Sequence, residues 1–254
     1  MNTELERRDL NSSEADIFGQ FQSRFAALQQ TEMSLEEYLD LCKADPLTYA
    51  SAAERMLHAI GQPEVINTRH DPRLSRIFSN RVVRRYPSFT EFYGMEEVIE
   101  NIVAYFRHAA QGLEERKQVL YLLGPVGSAK SSLAERLKAL MEQQPIYALK
   151  GSPINESPLG LFDPNQFGAS LEDKYGIPRR YLSGIASPWA TKRLAEFGGD
   201  LRKFRVVRLM PSTLNQVAIA KTEPGDENNQ DISALVGKVD IRMLNQFSQD
   251  DPDA

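Results

Sequence analysis

Nine residues, Gly124-Pro-Val-Gly-Ser-Ala-Lys-Ser-Ser132, constrain this chain more than any other stretch. They follow an apolar run, Val119-Leu-Tyr-Leu-Leu123, that reads as a buried strand. They open onto a segment in which Leu133, Leu137, Leu140 and Met141 recur at helical spacing. Strand, glycine-bearing turn, Lys-Ser and helix, in that order, are the context of a phosphate-binding loop of the Walker A type. Backbone N–H groups of such a loop converge on phosphates, and the helix N-terminus adds a favourable dipole. Lys130 then faces the β/γ oxygens of ATP and the Ser131 hydroxyl takes Mg²⁺. Pro125, Val126, Ser128, Ala129 and Ser132 complete the cradle, while Gly124 and Gly127 let backbone come close to phosphate. Ala129 departs from the strict pattern, which has glycine before the lysine. Its methyl group is accommodated if the backbone there keeps a negative φ with the Cβ turned away from the phosphates.

The rest of the composition narrows the setting. A chain of 254 residues with 41% hydrophobic and 9% aromatic residues can bury one large core or two modest ones. A net charge of −5 argues against a general nucleic-acid coat protein. One cysteine, Cys42, rules out an internal disulfide, and His58, His70 and His108 are scattered without ligand spacing. The polar, acidic N-terminus lacks an apolar signal region, and no run of roughly 18 apolar residues exists to span a membrane. The expectation is a cytoplasmic globular protein with neither membrane nor nucleic acid as partner.

Along the chain, residues 1–14 read as a disordered polar tail and 15–66 as a helical region of about three helices. Ile17, Phe18, Phe21, Phe25 and Leu28 mark one face of the first. Ser34-Leu-Glu-Glu37 is a capping box opening the second, and Asp45-Pro46 opens a third that runs to about Ile60, with Gly61 as its C-cap. Residues 67–92 form a basic connecting segment, where Arg69, Arg73, Arg76, Arg81, Arg84 and Arg85 stand against one acid, Asp71, as far as residue 88. That segment is either a solvated basic face or a surface for a nucleotide or an adjacent subunit. From 93 to 254 lies the core. Ile99, Ile102, Val103 and Phe106 define an amphipathic helix, and Pro145–Leu149 a second buried strand. Residues 151–168 read as a long irregular insertion. Ser187-Pro188 starts a helix that Gly198-Gly199 ends, Phe204–Leu209 alternates like a half-buried strand, and Glu223–Asp231 is an acidic, turn-forming stretch.

Hydrolysis needs a second, acidic Mg²⁺ site, typically four apolar residues followed by Asp-Glu. Residues 142–254 contain no such run; Val236-Gly-Lys-Val-Asp240 comes nearest, and it reads better as a surface turn. Eukaryotic-type kinase motifs are absent, since Arg69-His-Asp71 has the wrong order and there is no Asp-Phe-Gly. No Gly-x-Ser-x-Gly elbow appears, and Cys42 has no paired histidine.

The runs Pro72–Asn80, Phe92-Tyr-Gly-Met-Glu96, Leu122–Gly127, Tyr175–Tyr181 and Ala220–Ser233 strongly resemble the bacterial PrkA family of serine protein kinases, whose N-terminal module is an AAA+ ATPase. The resemblance extends from about residue 16 to the end. It implies an α/β P-loop NTPase of the AAA+ type, with a parallel sheet core, preceded by a small helical N-terminal region and incomplete at its C-terminus. It also implies that Gly124, Gly127, Lys130, Ser131 and Ser132 contact ATP and Mg²⁺, with Tyr93 and Gly94 near the adenine. Family members are more than twice this length. Their acidic Mg²⁺ site, sensor residues and kinase-like region lie beyond Ala254, so the chain is expected to be an N-terminal fragment. Three readings stay open at this point. One is an ATP-binding module that supports phosphorylation of unidentified protein substrates. Another is a remodelling or protease-coupled ATPase module, and the third a nucleotide-binding interaction module without turnover. A homo-oligomeric ring is the expected assembly of the full-length protein.

Overall fold

Two helices near the start of the chain begin by the same device. Ser34 and Ser51 each accept a hydrogen bond from the backbone N–H of the residue three positions on, while Glu37 and Glu54 reach back to the N–H of the serine. These capping boxes launch α1 (Leu35–Ala44) and α2 (Ala52–Ile60). A computed structural model describes residues 31–221 together with Gly19, Asp251 and Asp253. The tail 1–14, the Ile17–Leu28 face, the Glu223–Asp231 stretch and Val236–Asp240 lie outside the described residues.

The third helix starts later than its Asp45-Pro46 signal suggests. Asp45 caps only a short 3₁₀ turn, Pro46–Thr48, and Ser51 supplies the real N-cap. Gly61 ends α2 as expected, with φ at +79°, a conformation open to glycine without strain.

Strands β1 (Thr31–Ser34), β4 (Ile146–Leu149) and β5 (Arg205–Leu209) form one sheet in the order β1-β5-β4. Both pairings are antiparallel, with Met33 opposite Val206 and Ala148 opposite Val207. β5 is therefore the central strand, which is why Val206 and Val207 are both buried rather than alternating. Strands β2 (Glu64–Asn67) and β3 (Val82–Arg85) make a separate antiparallel hairpin around the short helix α3 (Leu74–Phe78).

The expected parallel sheet is not formed among the described residues. Val119–Leu123 belongs to no ladder there, and β4 takes β5 rather than this segment as its neighbour. Leu120 and Leu122 turn inward, whereas Val119, Tyr121 and Leu123 are exposed. The segment keeps the period-2 alternation in burial of a strand while lacking the pairing that would bury its other face.

Four apolar clusters occur among the described residues, and two of them are the largest. In the first, Tyr38, Leu39 and Cys42 of α1 pack with Leu159, Ile177 and Val206. The second joins α2, α4 (Glu96–Ala110) and α5 (Lys130–Met141) through Ile60, Phe89, Ile99, Val103, Leu133 and Leu140. Full burial of leucines such as Leu133 and Leu140 stabilises by roughly 1.5–3 kcal/mol each. α6 (Gly168–Tyr175) joins the first core, beside α1, through Leu171. Ser187 caps α7 (Pro188–Glu196), and Gly198 and Gly199 follow it with positive φ. Lys192 and Arg193 of α7 form ion pairs with Asp251 and Asp253. No helix among the described residues is long and apolar enough to cross a membrane.

Candidate functional site

The loop Gly124–Ala129 delivers the chain into the N-terminus of α5 without a side-chain cap. The first N–H groups of α5 therefore have no partner within the helix and face an open cavity of about 500 Å³ lined by Val126–Ser132. Twelve residues of aligned dipoles stand behind that end. Gly127 has φ at +83° and Ala129 φ at +57°, so the loop alternates into the left-handed region as an anion-binding nest does.

Ala129 therefore sits in a conformation that L-residues enter only with strain, and the condition of a negative φ at this position is not met. Ala129 lines the cavity and also packs against the second core, and that packing offsets part of the strain.

Gly124 is needed for a different reason. A Cβ there would lie 2.8 Å from the Ser128 hydroxyl oxygen, which itself donates to the Pro125 carbonyl at 2.8 Å. Lys130 closes the loop. Its ammonium donates to the carbonyls of Gly124 and Pro125, both at 2.7 Å, and to Ser128 Oγ at 3.0 Å. All three donors are thus satisfied within the loop, and an entering anion must replace those acceptors one for one. Ser131 and Ser132 are exposed at the first turn of α5.

Tyr93 and Gly94 line a different cavity. It measures about 550 Å³ and lies between α3, β3 and the start of α4, with Phe89, Phe92 and Glu96 among its walls. Gly94 takes φ at +75° with Ile77 3.8 Å from where a Cβ would stand, and the Tyr93 ring is 88% exposed. The two cavities share no lining residue, yet one core supports both, because Phe89, Phe92, Ile99, Leu122, Ala129 and Leu133 belong to a single cluster.

A polar strap also ties α5 to the segment that precedes Tyr93. Arg136 of α5 donates from Nε to the Ser88 carbonyl at 2.6 Å and pairs with Glu91 at 3.3 Å. Ser88 in turn donates its hydroxyl to the carbonyls of Ala59 and Ile60. Sequence reasoning missed Arg136 because nothing in a helical pattern shows which arginine reaches a carbonyl 48 residues away. It also missed Glu96, which is 6% exposed. Here a signal existed, since Glu96 stands three and seven residues before Ile99 and Val103 on the apolar stripe.

The basic segment is partly neutralised. Arg81 pairs with Glu97, Arg84 with Glu100, and Arg85 with Glu64 across the hairpin. Such exposed pairs contribute about 0–1 kcal/mol each. They turn half of the expected basic face toward α4 and the hairpin itself. Cys42 is buried in the first core, and burial pushes its thiol up to about 12, which removes it as a nucleophile. No cluster of three or more His, Cys, Asp or Glu side chains suited to a metal ion occurs among the described residues.

The PrkA AAA domain profile matches residues 33–254. The serine/threonine kinase YeaG of Escherichia coli K12 is 62% identical over 243 residues, covering 94% of this chain and 38% of that protein. The ATP-dependent protease PrkA of Bacillus subtilis is 32% identical over 232 residues, covering 88% of this chain and 34% of that protein. The chain thus spans well under half the length of these curated relatives. No solved structure matches it.

Proposed function

The chain belongs to the PrkA AAA domain family, and from that premise we propose that it is an ATP-binding AAA+ module whose Walker A loop, Gly124–Ser132, holds the triphosphate. The observation that carries this reading is the loop itself. Uncapped α5 N–H groups, a nest-like backbone and a lysine already inside the loop converge on one open cavity. A phosphate placed there would accept from those N–H groups and draw Lys130 off its carbonyls, gaining charge-assisted bonds for neutral ones. Close backbone approach at Gly124, where a Cβ would push the Ser128 hydroxyl aside, fits the same ligand. Ser131 would offer its hydroxyl to Mg²⁺, and Tyr93 and Gly94 would lie beside the adenine. Magnesium bound with ATP would neutralise charge on the phosphates.

Within the whole protein, in the bacterial cytoplasm, this module would support phosphorylation of protein substrates, in line with the kinase name of the Escherichia coli relative. A second reading, an ATPase module coupled to proteolysis, is favoured by the name of the Bacillus subtilis relative. γ-Labelled ATP separates them. Label appearing on serine of a protein substrate, and lost in Lys130→Ala, supports the kinase. Label released only as free phosphate while a client is cleaved supports the protease-coupled module. Bound ATP with neither outcome leaves a nucleotide-binding module without turnover.

A further inference from the structure

The cavity beside α4 contains one polar group that the fold leaves uncompensated. Glu96 is 6% exposed and lines the cavity, and its Oε2 is buried with no hydrogen-bond partner. Of the three arginines that line the same space, Arg84 pairs with Glu100 and Arg85 with Glu64, and Arg73 also leaves Glu96 Oε2 without a partner. A carboxylate oxygen taken out of water without a donor is strongly unfavourable, and the dipole of α4 at its first residue offsets only part of that. Most of the remaining walls are apolar and aromatic, among them Ile77, Phe89, Phe92 and Tyr93, with Asp71 and Thr90 as polar members. A largely apolar cavity of about 550 Å³ with one orphan acceptor complements a planar heteroaromatic ring that carries an amino donor.

We infer that Glu96 accepts a hydrogen bond from the exocyclic amine of adenine and is the residue that selects ATP over purine triphosphates with an oxo group at that position. The inference rests on the ATP-binding reading above. A carboxylate has acceptors only. It therefore pairs with an amine N–H and opposes the carbonyl oxygen that inosine and guanine present at the same carbon. The exposed Tyr93 ring supplies a stacking face for the base, a contact that is indifferent to the identity of the purine. Selectivity at that carbon then falls to Glu96, whose Oε2 is the unpartnered acceptor of the cavity.

The test is calorimetric titration of the 254-residue chain with ATP, ITP and purine riboside triphosphate; the last differs from ATP only by lacking the amine, whereas ITP has a carbonyl at that carbon and a proton on N1. Wild type is expected to bind ATP about 10- to 100-fold more tightly than either analogue, the worth of one hydrogen bond to a charged group. In Glu96→Gln, whose amide can also donate, the ATP-to-ITP ratio should fall at least about tenfold. Lys130→Ala should weaken all three ligands and leave their ratios unchanged. Equal affinity of wild type for ATP and purine riboside triphosphate would overturn the inference, as would an unaltered ATP-to-ITP ratio in a folded Glu96→Gln. Either result would assign the Glu96 carboxylate to an ordered water instead. The wild-type comparison decides even if the variant does not fold. If wild type bound none of the three, the ATP reading itself would fail, and this inference with it.

Discussion

Replacing Ala129 tests the geometry of the loop without touching any charged group. Ala129 stands at φ +57°, ψ +16°, immediately before the first residue of α5. An L-residue in this region carries about 1–2 kcal/mol of strain that glycine does not. Glycine loses roughly 0.4–1 kcal/mol through its freer unfolded chain. Removing the methyl also gives up packing against Leu133 and its neighbours, worth about 0.4 kcal/mol for half of one buried carbon. The balance leaves Ala129→Gly more stable by about 0.5 kcal/mol, a rise in Tm of roughly 1–2 °C for a chain of this size. Ala129→Val moves the other way, because a β-branched residue at positive φ is an outlier, and it should cost about 2 kcal/mol or more. Urea titrations followed by circular dichroism, without nucleotide, measure both. The sign is the diagnostic. At a negative φ, glycine would lower stability by about 1 kcal/mol and valine would be nearly neutral. That pair of results would refute the left-handed loop.

Other perturbations probe the surroundings. Gly124→Ala places a carbon 2.8 Å from Ser128 Oγ, so it should displace the Ser128–Lys130 contact and weaken ATP binding at least about tenfold in an equilibrium titration, with little change in Tm. Arg136→Ala removes the strap to Ser88 and Glu91 and should destabilise the fold by about 1–3 kcal/mol in urea. Cys42, held as the neutral thiol by burial, should react with iodoacetamide at pH 8 only on unfolding; rapid native-state alkylation would contradict its placement. The same shift sets a sign with pH. The folded thiol keeps its proton to about 12 against an ordinary value of 9.0, so its contribution is complete below pH 9 and is lost as pH rises toward 12. Cys42→Ser should show a shallower alkaline loss of stability between those limits.

Much of the local structure was legible because it is written in short-range chemistry. Ser34-Leu-Glu-Glu37, Ser187-Pro188 and Gly198-Gly199 each fix a helix end through groups within a few residues of one another. The stripe Ile99–Ile102–Val103 likewise announces the buried face of α4. What escaped depends on distant partners. The antiparallel placing of β4 beside β5 joins segments about 60 residues apart, and no pattern within either strand states it. Glu96 sits on an apolar stripe, yet only the assembled cavity shows that its oxygen has no donor. Ala129 could be seen as a departure from glycine, but its positive φ had to come from the folded loop.

Calorimetric titration of MgATP into wild type and Lys130→Ala bears most directly on the central claim, that Gly124–Ser132 is the triphosphate cradle. Wild type should bind at one site. The variant, without the ammonium now spanning Gly124, Pro125 and Ser128, should bind at least about 100-fold more weakly while retaining its circular dichroism spectrum. Equal affinity in the two proteins would contradict the account.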